Sequence, residues 1–275
     1  MLEKAQRTVA KIIQGLARRT HNEIVIGLLG WITIEGIMDQ MKLNFVWKLA
    51  NMKPTSLTKH IFLHEIYNVV LCKYSANITC NLFDTLKKYD MIDFIHRYIQ
   101  GGELPGKQAW KSMVKDNIQQ QEQIKWINGL HSKHVFRYCR VQPTLSPNRL
   151  YGVIQNNLHL RDSIMVMVRL LTIVDDGDTM LCSLCGKIAT DFVEHVMMRC
   201  EGLLTERNCM WNKILDNVDV HVEVKLLNKT DDTMLDILLG SEWDIPQDAL
   251  DVSTFTITVS EFINCAIDRL AVSMC

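Results

Sequence analysis

Four residues have the types and spacing to hold a metal ion: Cys182, Cys185, His195 and Cys200, in the pattern C-x2-C-x9-H-x4-C. Cys182-Ser183-Leu184-Cys185-Gly186 has the form of a metal knuckle. Two thiolates sit on a tight turn, and the glycine allows the backbone to curl its N–H groups toward the sulfurs. His195 and Cys200 follow on the apolar segment that begins Phe192-Val193-Glu194. Three thiolates and one imidazole form a closed tetrahedral set for one structural Zn2+, with no position left for a substrate water. Such a centre staples a fold and carries out no reaction. Its binding free energy, on the order of 10–16 kcal/mol, appears as folding free energy of the surrounding loop. The competing reading is coincidence in a chain with nine cysteines.

Other chemistry-bearing patterns are weaker. Gly101-Gly102-Glu103-Leu104-Pro105-Gly106-Lys107-Gln108 approaches a phosphate loop, but Gln108 has no hydroxyl for Mg2+ and the preceding segment reads as helix rather than strand. His60/His64 and His131/His134 have helical ligand spacing without a third ligand, so they read as structural histidines. Cys72, Cys80, Cys139, Cys209, Cys265 and Cys275 lack metal spacing and read as small apolar residues or idle thiols. No nucleophile elbow is present. The chain is expected not to be an enzyme.

The net charge of −1 conceals an asymmetry. Residues 1–200 carry 25 Lys+Arg against 17 Asp+Glu, whereas residues 201–275 carry 5 against 14. A basic body suggests a polyanion partner. Lys107, Lys111 and Lys115 recur four apart on one helical stripe, and Lys133, Arg137 and Arg140 form a second. With Arg18 and Arg19 they make the expected phosphate contacts to RNA or DNA, which carry affinity but not base specificity. Arg169 either lines the same surface or is buried as a structural arginine.

These residues need elements to position them, and helical periodicity dominates the chain. A first helix carries Leu2, Val9, Ile12, Ile13 and Leu16 on one face. Asn22 is expected to cap a short helix, and Thr33 a longer one whose apolar positions are Ile37, Met38, Met41, Phe45, Val46 and Leu49. Further helices are predicted over about 57–73, 80–88 and 90–99, from Lys107 to about Tyr138, and over Arg161–Leu171, Glu206–Leu215 and Phe255–Val272. Val218, Val220, Val222 and Val224 alternate with polar residues as a half-buried strand does, although without a clear partner strand they also read as a connection into a helix. The expected class is mainly α, with a small Cys3His loop and little sheet. Four regions are read: 1–100 helical, 101–175 basic and helical, 176–218 metal-binding, and 219–275 acidic.

At 48% hydrophobic and 22% charged, the chain is globular rather than disordered. Apolar stretches such as Ile24–Ile34 are too short to span a bilayer, and no secretory signal opens the sequence. The expectation is an intracellular protein, cytoplasmic or nuclear, in which the sequons Asn77-Ile78-Thr79 and Asn228-Lys229-Thr230 carry no meaning.

Leu2-Glu3-Lys4-Ala5-Gln6-Arg7, Ile12-Ile13-Gln14-Gly15-Leu16 and Gly30-Trp31-Ile32-Thr33-Ile34-Glu35 together resemble the segment downstream of the palm in non-LTR (LINE-type) retrotransposon reverse transcriptases. A second block, Ser132–Tyr138 and Arg161–Leu171 leading into the Cys182/Cys185/His195/Cys200 set, is similar to the zinc-binding region near the C-terminus of those proteins. The resemblance covers about residues 2–52 and 130–210. It implies a zinc-stabilised, nucleic-acid-binding module, with a separate polymerase domain as a further partner. The palm and its Mg2+-binding carboxylates would lie before Leu2, and this chain starts at Met1, so a fragment with a thumb-like region over 1–100 and without the catalytic centre is expected. Ile173-Val174-Asp175-Asp176 looks like a paired-aspartate motif but reads as a solvated loop before the knuckle. The other readings are a helical protein-interaction scaffold and a non-functional transposon relic.

Overall fold

The computed structural model describes residues 1–70, 77–131, 136–171, 180–240 and 251–273. In chain order the helices are α1 (Leu2–Ile13), α2 (Asn22–Leu28), α3 (Ile34–Ala50), α4 (Leu57–Val70), α5 (Asn77–Lys88), α6 (Ile92–Ile99), α7 (Lys107–His131), α8 (Phe136–Val141), α9 (Arg149–Asn156) and α10 (Arg161–Leu171). A two-stranded antiparallel hairpin, β1 (Met180–Leu181) and β2 (Ile188–Ala189), precedes α11 (Phe192–Glu194), α12 (Leu204–Leu215), α13 (Val220–Leu227), α14 (Asp231–Leu238) and α15 (Val252–Ser273). The fold is mainly α with a small Cys3His loop, as the periodicity predicts. Among the described residues no helix is long and apolar enough to cross a membrane. The paired aspartates Asp175 and Asp176 lie outside the described residues.

Contacts divide the chain into two compact units, one of Met1–Gln6 with Ile32–Lys125 and one of Arg7–Trp31 with Trp126–Cys275. These are not the four consecutive regions read from the sequence. The difference is physical: long-range contacts tie α2 to residues beyond Trp126, and no local pattern announces such a pairing.

In the first unit, Thr33 caps α3 as expected, accepting from Gly36 N at 3.1 Å, while Thr33 N donates to the buried Glu122 carboxylate at 2.7 Å. Leu43, Val46, Ile66, Leu86, Ile95 and Trp110 form the centre of its core. Trp110 is fully buried and donates to Leu43 O at 3.1 Å, which satisfies the indole N–H. Of the six positions assigned to the α3 stripe from sequence, only two face inward. Val46 and Leu49 are buried, but Ile37, Met38, Met41 and Phe45 are exposed. The face turned inward carries Asp39 in place of an apolar residue.

Asp39 is 3% exposed and accepts from Lys42 Nζ (2.8 Å), Lys88 Nζ (2.8 Å) and Tyr89 Oη (3.0 Å). Lys88 also bridges to Glu35 at 2.7 Å. Burial alone would raise the Asp39 carboxyl, but the three donors outweigh it and hold the group below the ordinary carboxylate range. A folded-state value below the unfolded one stabilises above the unfolded pKa of about 3.9, and that stability is lost as pH falls through the folded value. Asp39→Asn is therefore expected to cost about 1.5–3 kcal/mol at pH 7. It should also flatten the acid limb of a pH series of urea midpoints. An unchanged acid limb would mean that this cluster does not govern acid unfolding.

In the second unit, α2 buries Ile24, Val25, Ile26, Gly27 and Leu28. Its carbonyls are claimed by aromatic side chains: Trp126 Nε1 donates to Glu23 O at 2.8 Å and Tyr138 Oη to Ile24 O at 3.2 Å. Asn22 is the first residue of α2 rather than its cap, and His21 precedes it without a side-chain cap. The apolar face predicted for α1 is largely exposed at Leu2, Val9, Ile12 and Ile13, and Leu16 alone of the set is buried. Ala10 and Gln14 are buried as well. Gln14 Nε2 donates to Ala10 O and Val25 O, and Gln14 Oε1 accepts from Tyr151 Oη at 2.7 Å. A fully bonded amide thus sits where the pattern placed hydrocarbon.

The helices α10, α12 and α15 pack together, and Ile164, Met167, Val168, Met210, Ile214 and Val259 are buried. The strand expected over Val218–Val224 is helix α13. Asp219 caps it through His221 N at 3.1 Å, and burial falls on Val222 and Leu226, four apart, while Val220 and Val224 are exposed. A local cap and one buried stripe override the β-branched alternation from Val220 onward.

Candidate metal centre

The hairpin brings the first two donors into place. Cys182 N donates to Lys187 O at 2.9 Å and Gly186 N to Cys182 O at 2.8 Å, which closes a tight turn over Cys182–Lys187. Gly186 sits at φ +70°, where a side chain is disfavoured. Asp191 then caps the helix that presents His195, accepting from Glu194 N at 2.8 Å, and His195 N donates to Asp191 O at 3.0 Å.

The fourth donor depends on a departure from helical geometry. Residues five apart on an α-helix point about 140° away from each other. Here His195–Arg199 forms a π turn closed by Cys200 N donating to His195 O at 2.6 Å. The wider turn and the extended backbone at Cys200 bring its thiol to the same point as the imidazole.

The four ligand atoms lie within 4.8 Å of one another. Cys182 Sγ and Cys200 Sγ are 3.7 Å apart, far beyond disulfide length, and Cys185 Sγ is 3.3 Å from His195 Nε2. A tetrahedral ion with metal–sulfur bonds of about 2.3 Å has sulfur–sulfur edges of about 3.8 Å, so these donors can hold one metal ion. Cys182 and Cys200 are fully buried and His195 is 8% exposed.

Local electrostatics divide the protons unevenly. Burial would raise Cys182, but backbone N–H groups of Cys185 and Leu184 bring it below the ordinary thiol value. Burial pushes Cys200 up to about 12, helped by the neighbouring Cys182 sulfur. Burial also lowers His195, with the Arg207 and Lys187 cations adding to the effect, so the imidazole is held neutral as a ligand must be. An entering metal ion must displace the Cys200 proton.

Two supporting residues carried no sequence signal. Gly202 lets the chain after Cys200 pass against the knuckle, because a Cβ there would lie 2.8 Å from Leu184 Cβ and 2.9 Å from its carbonyl oxygen. Arg207, on the first turns of α12, is buried and donates to Met197 O, Val196 O and Cys200 O. Only the three-dimensional path of the His195–Cys200 turn reveals why these two residues are there.

The candidate phosphate-binding cations are distributed over both units. Lys107, Lys111 and Lys115 are exposed on the first turns of α7 in the first unit. Arg18 and Arg19 are exposed between α1 and α2 in the second. Arg140 is bound to Asp236 at 2.7 Å and Asp232 at 3.5 Å, so the acidic segment occupies this cation. Arg137 lies on α8, Lys133 falls outside the described residues, and Arg169 is exposed rather than buried. Of the weaker patterns, Lys107 opens α7 after helix α6, so no strand feeds the glycine segment. His64 is exposed and pairs with Asn68 at 3.3 Å, and His134 lies outside the described residues. Cys80 and Cys209 are exposed, Cys139 and Cys265 half-buried, and Cys72 and Cys275 outside the described residues.

No protein family, curated protein or solved structure matches the chain.

Proposed function

We propose that the chain is a zinc-stabilised module that binds nucleic acid through phosphate contacts, of the kind found downstream of the palm in non-LTR retrotransposon reverse transcriptases. The convergence of Cys182, Cys185, His195 and Cys200 on one point carries this reading. Three soft thiolates with an imidazole in tetrahedral spacing suit Zn2+, and a closed set leaves the ion structural rather than catalytic. The ion's contribution is to fix the hairpin and the turn after Asp191 against each other. The exposed lysines on α7, spaced four apart, supply a row of charge with the tolerance for sequence that phosphate contacts have.

The test is a titration of the zinc-loaded protein with labelled single-stranded RNA and duplex DNA at several salt concentrations. Lys107→Glu/Lys111→Glu/Lys115→Glu is expected to weaken binding at all sequences. It should reduce the slope of log K against log salt by about 2–3, near 0.7–0.9 for each phosphate that is no longer neutralised. Arg140→Gln, whose guanidinium is already paired with Asp232 and Asp236, is expected to change little. Binding that ignores salt, or that survives the triple substitution, would sink the nucleic-acid reading.

A protein-interaction scaffold is favoured by a different observation. Ile12 and Ile13 on α1 and Met41 and Phe45 on α3 are exposed. Salt-insensitive self-association in sedimentation would support that reading instead.

A further inference from the structure

Among the lysines and arginines whose side chains are described, Arg207 is the only buried one, at 6% exposure. A guanidinium is seldom placed in the interior without a partner charge, because desolvation of the cation outweighs what neutral acceptors return. Its hydrogen bonds nevertheless go to carbonyls, and the neighbouring Glu206 carboxylate, which also favours the cation, is itself paired with Arg269. Nε donates to Met197 O at 2.9 Å, and one terminal nitrogen donates to Cys200 O at 2.8 Å and Val196 O at 3.3 Å. All three acceptors belong to the segment His195–Cys200, which bears two of the four metal donors. The π turn departs from the pairing of an α-helix, and the guanidinium shares Cys200 O with Leu203 N, which donates to it at 3.2 Å. Cys200 is the last residue of that turn, so the guanidinium reaches the main chain of a ligand itself.

The charge arithmetic of the centre explains the cation. One divalent ion with three thiolates and a neutral imidazole has one net negative charge, and a buried anionic centre needs a nearby positive charge. We propose that Arg207 is the positioning residue of the metal centre. Its planar fork bridges the carbonyls of the His195–Cys200 turn so that the imidazole and the Cys200 thiol converge, and its charge balances the anionic metal–thiolate group. This proposal rests on the zinc reading given above and adds to it the residue that preorganises the site. Lysine carries the same charge but cannot span three carbonyls with a rigid fork, so the two contributions are separable.

The experiment compares wild type, Arg207→Lys, Arg207→Met and, as a surface control on the same helix, Lys213→Met. Zinc affinity is measured by competition with a chromophoric chelator, and the site geometry by the thiolate-to-cobalt charge-transfer and d–d bands after Co2+ substitution. Amide hydrogen exchange of residues 196–200 is followed in the metal-free proteins. Arg207→Met is expected to weaken zinc binding by about 10–100-fold, the usual effect of removing an outer partner of a metal ligand. Arg207→Lys should fall between it and wild type, and Lys213→Met should match wild type. Faster exchange over residues 196–200 in metal-free Arg207→Met is expected whether or not zinc is the physiological ion. Wild-type affinity in a folded Arg207→Met overturns the proposal. If Arg207→Met does not fold, Arg207→Lys decides: wild-type affinity and exchange there would refute the bridging role. Equal affinity of the two variants would refute the charge-balancing role. A wild-type protein that binds no zinc removes the zinc reading, while the exchange comparison still tests whether Arg207 holds the turn.

Discussion

The purified protein is expected to carry one equivalent of zinc and to lose ordered structure around residues 180–215 when the ion is withdrawn. The expectation follows from how little that segment holds by itself. Its sheet is two residues per strand, and its central helical turn is a π turn that relies on side-chain support. Hairpins of this size are at best marginal alone. The ion, with apparent binding free energy on the order of 10–16 kcal/mol at neutral pH, supplies the difference. Strong chelator and Cys182→Ser/Cys185→Ser should therefore have the same effect: near-complete loss of metal, lower thermal stability, and faster amide exchange over the hairpin and α11. The pH dependence has a defined sign. Cys200 holds its proton firmly in the metal-free state, so binding releases that proton and apparent affinity rises with pH across the neutral range. Acidification should release the ion before the helices melt. A stably folded protein with no metal, indifferent to chelator, would remove the basis for a structural ion.

Gly30→Ala is the single substitution outside that centre with the largest expected cost. Gly30 has φ +61°, and a Cβ there would lie 2.3 Å from Pro147 N and 2.4 Å from Ser146 C, both backbone atoms that cannot rotate away. The close approach is fixed on either side, since Leu29 bridges to Pro147 and Asn148 N donates to Leu28 O at 2.8 Å. Left-handed backbone costs about 1–2 kcal/mol for an ordinary residue. Forced displacement in a packed region adds about 1–3 kcal/mol. Gly15→Ala separates the two effects. It has φ +58°, but its nearest neighbour would be Arg169 at 3.6 Å, an ordinary contact, so only the backbone cost applies. Chemical denaturation of both variants should place Gly30→Ala clearly below Gly15→Ala. Equal midpoints would mean that the 146–148 segment yields to the new methyl group.

These two sites mark how far the sequence could be read. The metal donors were legible because thiolates and imidazole at knuckle spacing have few other uses, and the helices α10, α12 and α15 because their periodicity is long and regular. Gly30 was visible as a glycine beside Trp31, but Pro147, the reason for it, lies more than a hundred residues away. Arg207 and Gly202 look ordinary until the path of the His195–Cys200 turn is known. The inward face of α3 was misread because Asp39 and its three donors form a buried polar cluster, which hydrophobic periodicity scores as surface. The inward face of α1 was misread for the same reason at Gln14. Val218–Val224 failed in the opposite direction: the alternation was real, but a strand needs a neighbour, whereas Asp219 and a buried stripe sufficed for a helix.

The second unit is assembled from two stretches of chain, with Ile32–Lys125 inserted between them. During synthesis, α2 emerges with its apolar residues exposed, and Gln14 emerges with its amide oxygen unmatched. Their partners Trp126, Tyr138 and Tyr151 are translated more than ninety residues later. At about 5–20 residues per second the interval is on the order of ten seconds. The inserted stretch can reach its own core first, because Leu43, Ile66, Leu86, Ile95 and Trp110 all lie within it. The leading segment must wait, and in a living cell that interval is when chaperones or premature association would meet this chain.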